Sequence, residues 1–192
     1  MLLTVSGPPG SGKSTIAHGV ADVLGFDHVS GGDIFRALAE EEGLSLAGFN
    51  ALAEEDDSID RALDKRLRTL AAESEETILE SRLAGWMAGE YADLKLWLDA
   101  PINVRATRIA EREGKDVEQA KIETVEREES EERRYRMYYG IESRDLGIYD
   151  AVLNTARWSP TETVNIVATL VERYDPSTDE GPFTVEGVSY EF

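Results

Sequence analysis

The sequence predicts an α/β fold, a five-stranded parallel sheet with helices on both faces, and three observations carry that prediction. Short apolar runs take turns with helical patterns over residues 1–174, as βα units do. The runs are apolar throughout rather than alternating, as expected of strands covered on both sides. The first of them, Leu2 to Val5, leads straight into GPPGSGKST at Gly7 to Thr15 and then into a helical pattern.

That glycine loop places the chain in the P-loop NTPase fold. Gly7, Gly12, Lys13 and Ser14 satisfy its spacing, in which backbone N–H groups turn inward to hold phosphate oxygens at a helix mouth. Glycine is required because the backbone must come close to the phosphates. The triphosphate-binding candidates are Gly7, Pro8, Pro9, Gly10, Ser11, Gly12, Lys13, Ser14 and Thr15, with Lys13 reaching the β- and γ-phosphates and Ser14 ligating Mg²⁺. The first helix carries Ile16, Ala17, Val20, Ala21 and Leu24 on one face and ends at Gly25.

Phe26 to Ser30 is the second strand, ending in SGGDIFR with Arg36 one turn into a new helix. Short helices follow to residue 72, broken at Gly43, at Gly48 and by Glu54 to Asp57. More helix than a crossover needs between two parallel strands predicts a small mobile cap over about residues 31–75. Thr77-Ile78-Leu79 forms the third strand and ends in Glu80-Ser81-Arg82, and LKLWLD (Leu94 to Asp99) forms the fourth. Pro101 opens an arginine-rich helical stretch broken at Gly114, and residues 112–140 read as a lid. YDAVLNT (Tyr149 to Thr155) is the fifth strand, and a terminal helix starts at Pro160. Residues 175–192 form an extension, either an edge hairpin around Glu186-Gly187 or a disordered tail. The site belongs at the carboxyl ends of the strands.

The formal net charge of −19 argues against a nucleic acid polymer or an anionic membrane as partner. Only five of the cationic residues are lysines, and this acidic, lysine-poor surface suits a halophile, where screening relieves self-repulsion. With no cysteine, disulfides and thiolate chemistry are excluded. His18 and His28 have no obvious partners and read as surface or core-edge residues. No apolar run reaches the length of a membrane span, and the loop begins too early for a targeting peptide, so a cytoplasmic protein, a monomer, is expected.

A P-loop alone says that a nucleoside triphosphate binds. The position comparable to the guanine-reading sequence of GTPase switches holds LNTARWS, and LKLWLDA offers one acid where a motor ATPase has a pair. GPPGSGKST, SGGDIFR, ILESRLAGW, LKLWLDAP, REESEERRYRMYYGI and YDAVLNTA together resemble the archaeal cytidylate kinases, over roughly residues 1–174. The resemblance implies transfer of the γ-phosphoryl of ATP, with Mg²⁺, to CMP or dCMP. The rival readings are a kinase for another monophosphate, a metabolite kinase with a base near Asp33, and a nucleotide-gated binding protein.

By the resemblance, Arg36 and Arg82 hold the monophosphate, each with a planar fork that grips two oxygens. Arg127 and Arg133 are the lid candidates for clamping the transferring group, with Arg108 and Arg112 beside them. Glu80 or Asp99 would hold a water on Mg²⁺, and Arg157 with Trp158 would flank adenine. Asp60 and Asp64 on the cap are nominated for cytosine, because a carboxylate accepts from its N4 amine and uracil has no such donor. No general base is needed, since a phosphate oxygen is already ionised at neutral pH.

Overall fold

In the computed structural model the described residues are 1–181, 185, 187–190 and 192, with only the backbone for Leu46 and Ala47. Among them, β1 (Leu2–Ser6), β2 (Asp27–Ser30), β3 (Thr77–Glu80), β4 (Leu94–Asp99) and β5 (Ala151–Asn154) pair in parallel in the order β2-β3-β1-β4-β5. The expected α/β architecture is therefore present. β1 lies at the centre, with Leu3 opposite Ile78 of β3 and Leu94 of β4.

Every residue of β1 is buried, and its neighbours show why the apolar runs do not alternate. Leu3, Val5, Ile78, Leu96 and Leu98 face one side, where α1 (Lys13–Leu24) and α8 (Pro160–Arg173) cover them with Ile16, Val20, Val167 and Val171. Leu2, Leu79 and Trp97 face the other, covered by α4 (Asp57–Glu73), α5 (Ala84–Ala88) and α7 (Val117–Tyr139) through Leu67, Met87 and Tyr139.

Between β2 and β3 run α2 (Gly31–Glu41), α3 (Leu46–Glu55) and α4. A small core of Phe35, Ala39 and Phe49 joins them, and the two phenyl rings lie 4.9 Å apart. Gly48 does not break the chain as expected. It sits in the first turn of α3, where its N–H meets the Ser45 hydroxyl that caps the helix. The breaks fall at Gly43 and at Asp56, whose carboxylate accepts from the Ser58 N–H.

After β4 come α6 (Ile102–Glu113), ended by Gly114, and α7. The strand expected over Tyr149 to Thr155 is shorter: Tyr149 packs on Trp97 just before β5 and Thr155 lies just after it. The hairpin turn expected at Glu186-Gly187 falls in part outside the described residues. In the described part of the extension no strand is formed. Instead Val185, Val188, Tyr190 and Phe192 pack on the core beneath α7, and the Tyr190 hydroxyl donates to the Trp86 carbonyl at 2.8 Å. Among the described residues no helix is long and apolar enough to cross a membrane.

Candidate active site

The glycine loop joins β1 to α1, and its geometry explains its composition. Gly7 has φ 147°, and a Cβ there would stand 2.0 Å from the Leu98 carbonyl oxygen of the neighbouring strand. Gly10, at φ 75°, would press a Cβ to within 2.7 Å of the Arg105 carbonyl oxygen. Behind the loop, Arg105 donates to the Pro9 carbonyl at 3.1 Å and Arg108 to that of Gly10 at 3.2 Å. The Thr155 hydroxyl donates to the Ser11 carbonyl at 2.7 Å.

In front of the loop lies a cavity of about 670 Å³ at the carboxyl ends of the strands. The loop lines it with Pro9, Gly10, Gly12, Lys13, Ser14 and Thr15; α2 adds Arg36, α4 adds Asp60 and Asp64, and the end of β3 adds Glu80 and Arg82. Its remaining wall includes Arg112, Arg127, Glu131, Arg134 and Tyr135. Most of the residues nominated from the sequence thus meet in one chamber.

Lys13 points its ammonium at the Pro8 carbonyl, 3.1 Å away. Burial pushes its pKa down to about 8, Glu80 opposes that shift, and the positive charges of Arg82 and Arg127 add to it. Burial, and after it Arg127, also lowers Arg82 below its ordinary range, although not far enough to discharge it at neutral pH. A phosphate entering here would meet a concentration of positive charge in an otherwise acidic protein.

Glu80 is buried, with its carboxylate 3.2 Å from the Ser14 hydroxyl and 3.9 Å from His28 Nε2. This hydroxyl and carboxylate are hard oxygen donors of the kind Mg²⁺ takes. Asp99 lies elsewhere: it lines a smaller cavity of about 300 Å³ beside Gly7 and Pro8. Ser11 is buried inside the loop. The two histidines stand 6.0 Å apart, His18 exposed beside Asp22 and His28 half-buried.

Asp60 and Asp64 are both buried. Asp60 accepts from Arg134 Nε at 2.7 Å, yet burial still outweighs that partner and raises its pKa. Asp64 lies beside the Tyr139 hydroxyl, and burial, reinforced by Asp60, pushes its carboxyl up to about 8. Burial thus favours the protonated form of Asp64, which can donate as well as accept.

Besides Gly7, Pro8, Ser11 and Asp99, four further nominated residues lie away from the main chamber. Arg133 is exposed, and Arg134, one step round the helix, takes the inward place. Arg108 braces the loop from behind. Arg157 and Trp158 are exposed and line neither cavity. Among those inside, Arg36 pairs with Asp33, Arg112 pairs with Glu113 at 2.6 Å, and Arg82 and Arg127 both pair with Glu131. The sequence reading missed Arg105, Glu131, Arg134 and Thr155. For the three on α6 and α7 the signal was the i,i+3 and i,i+4 pattern of arginine-rich helices, which does not say which side faces in, and Thr155, just after β5, carried none.

The model of the cytidylate kinase-like family matches residues 2–157. A cytidylate kinase of Haloarcula marismortui is 60% identical over 192 residues, the whole of both chains, and one of Halobacterium salinarum is 58% identical over the same span. Among solved structures, the shikimate kinase of Acinetobacter baumannii is 13% identical, with a TM-score of 0.59 over 89% of this chain and 92% of that one. That likeness bears on the fold alone. The P-loop chamber, the family match and full-length similarity to two archaeal relatives agree, and the chain belongs to the cytidylate kinase-like family.

Proposed function

We propose that the chain transfers the γ-phosphoryl of ATP to CMP or dCMP, giving ADP and the diphosphate. The observation that carries this reading is the single chamber in which the phosphate-binding loop faces Arg36, Arg82, Arg127 and Arg134. ATP would lay its β- and γ-phosphates along the loop, with Lys13 against them. Arg36 and Arg82 would grip the acceptor's phosphate, leaving one of its oxygens aimed in line at the γ-phosphorus. That oxygen is ionised, so no side chain has to take a proton. Catalysis would then consist of alignment and of neutralising charge on the phosphoryl group in flight, the part proposed for Arg127.

Ser14 and Glu80 would hold Mg²⁺, Glu80 through a water, and the ion would supply neutralisation of the charge that develops on the phosphates. On the acceptor side, Asp60 and Asp64 stand with Asn50 among the polar groups of the cap wall that could meet a pyrimidine edge. With Asp60 committed to Arg134, Asp64 is the freer of the two, and a protonated carboxyl there can give a hydrogen bond to N3 while accepting from N4. Movement of residues 31–75 and 112–140 as cap and lid, a monomeric state and a cytoplasmic location belong to the same reading.

The test is diphosphate formation in molar KCl with Mg²⁺ and ATP, comparing CMP, dCMP, UMP, AMP and GMP. Selective consumption of CMP and dCMP is expected. Preference for a purine monophosphate would overturn the assignment of base, and ATP loss indifferent to every acceptor would overturn the kinase reading.

A further inference from the structure

Arg82 and Arg127 approach the chamber from different parts of the chain, one at the end of β3 and one on α7. In this structure one carboxylate joins them. Glu131 of α7 directs Oε2 at Arg82 Nη1 and accepts from Arg127 Nε through Oε1 at 2.9 Å. Its side chain is 7% exposed, and it lines the chamber beside Lys13, Arg82 and Arg127. A carboxylate and a phosphate present the same acceptor geometry to a guanidinium, and the same N–H donors cannot serve both.

We propose that Glu131 is a built-in competitor for the acceptor's phosphate: it occupies Arg82 and holds Arg127 aside until a phosphorylated acceptor displaces it. The inference rests on the proposed kinase reading and adds a determinant of specificity. A dianionic phosphate brings more charge to the arginines than a carboxylate does, so it can take Arg82 and release Arg127 toward the transferring group. An acceptor with only a hydroxyl, or water, brings no such charge and leaves Arg127 tied. Glu131 thereby favours phosphate-bearing acceptors over hydroxylated metabolites and restrains loss of ATP to water.

Steady-state kinetics of the full chain in molar KCl would test this with Glu131→Gln, which keeps the shape and removes the charge. Charge-assisted hydrogen bonds are about twice as strong as neutral ones, so weakening this competitor should lower the KM for CMP about tenfold. KM for ATP should change less than about twofold, and ADP release without any acceptor should rise several-fold. Glu131→Asp keeps the charge and shortens its reach, and should lower the KM for CMP by about two- to threefold. It carries the test if the amide variant shows no cooperative unfolding.

A KM for CMP that is unchanged or raised in a folded variant would overturn the proposal. So would a fall in kcat at constant KM, which would make Glu131 a group that aligns the arginines during turnover. Failure of the wild type to phosphorylate CMP would instead defeat the kinase reading, so the two failures are distinguishable.

Discussion

Replacing Arg134 by methionine should expose how much the buried pair in the cap wall matters. Asp60 and Arg134 are each 9% exposed at the side chain and 2.7 Å apart, and the same guanidinium holds Ser130 Oγ at 2.9 Å. Removing the cation leaves a carboxylate with little solvent, no direct partner and only the weaker pull of Arg82 and Arg127. Breaking a buried pair from one side costs about 3–5 kcal/mol, of which the loss of Coulomb attraction is the smaller part. For a chain of this size each kcal/mol moves Tm by about 2–4 °C, so the variant should melt about 6–20 °C lower. Salt will hide little of this, because a pair away from solvent is weakly screened.

The pH dependence gives the prediction a second handle. Burial already raises Asp60 above its ordinary 3.8, and without Arg134 it must rise further. A carboxyl whose folded value lies above its unfolded value holds a proton that the unfolded chain releases, so stability falls as pH rises from the unfolded value through the folded one. Denaturant unfolding in molar KCl should therefore show the variant regaining part of its deficit at a mildly acid pH relative to neutral pH, where the wild type changes less. Adding Asp60→Asn should restore most of the loss, since the stranded charge is then gone. A single variant within about 1 kcal/mol of wild type at both pH values would refute the argument that this pair is dry.

Three further outcomes follow from the same geometry. Lys13, lowered to about 8, should regain its proton when phosphate oxygens arrive, so ADP binding at a pH above that value should take up protons. Calorimetry in two buffers of different ionisation enthalpy reads that uptake, and Lys13→Ala should abolish it. By the same sign, Lys13 subtracts most from stability below about pH 8, and its penalty fades between there and 10.5. Glu80→Gln should raise the Mg²⁺ concentration needed for half-maximal turnover while leaving nucleotide binding without metal nearly intact; equal metal dependence would remove Glu80 from the ion's surroundings. Tyr190→Ala deletes both a ring lying 3.7 Å from the Arg68 guanidinium and the hydroxyl that reaches Trp86, and should lower Tm by several degrees, against no change for a tail that merely rests on the surface.

The local rules made most of the sheet legible in advance. β1, β3 and β4 are apolar runs with clear ends, and the glycine loop declares what it holds. The helix around Arg133 and Arg134 was not legible in the same way. In α7 charge surrounds the whole circumference, and one residue of register, a turn of about 100°, separates a solvent arginine from a buried one. Only the tertiary partner Asp60, from α4, distinguishes them. Gly48 was misleading because a glycine near a helix start and one near its end look alike until the capping hydroxyl of Ser45 is seen. For the extension, spaced aromatic residues are equally compatible with a strand edge and with anchors over a core, and a long-range contact decides. Cytosine chemistry alone nominates Asp60 and Asp64, and the structure adds that burial raises both carboxyls and that Asp60 is paired with Arg134.

The braces behind the glycine loop act on anions they never touch. A trans peptide is a rigid plane in which C=O and N–H point in opposite directions, so fixing one end of the plane fixes the other. By holding the Pro9 carbonyl, Arg105 orients the N–H of Gly10; Thr155, by donating to the Ser11 carbonyl, does the same for the N–H of Gly12. Each works as a rudder, steering a donor from the far side of its own amide. Because the loop is set before any nucleotide arrives, its entropy is lost on folding rather than on binding. Weakening a brace should consequently appear as weaker binding of ATP, with every phosphate-contacting group still in place.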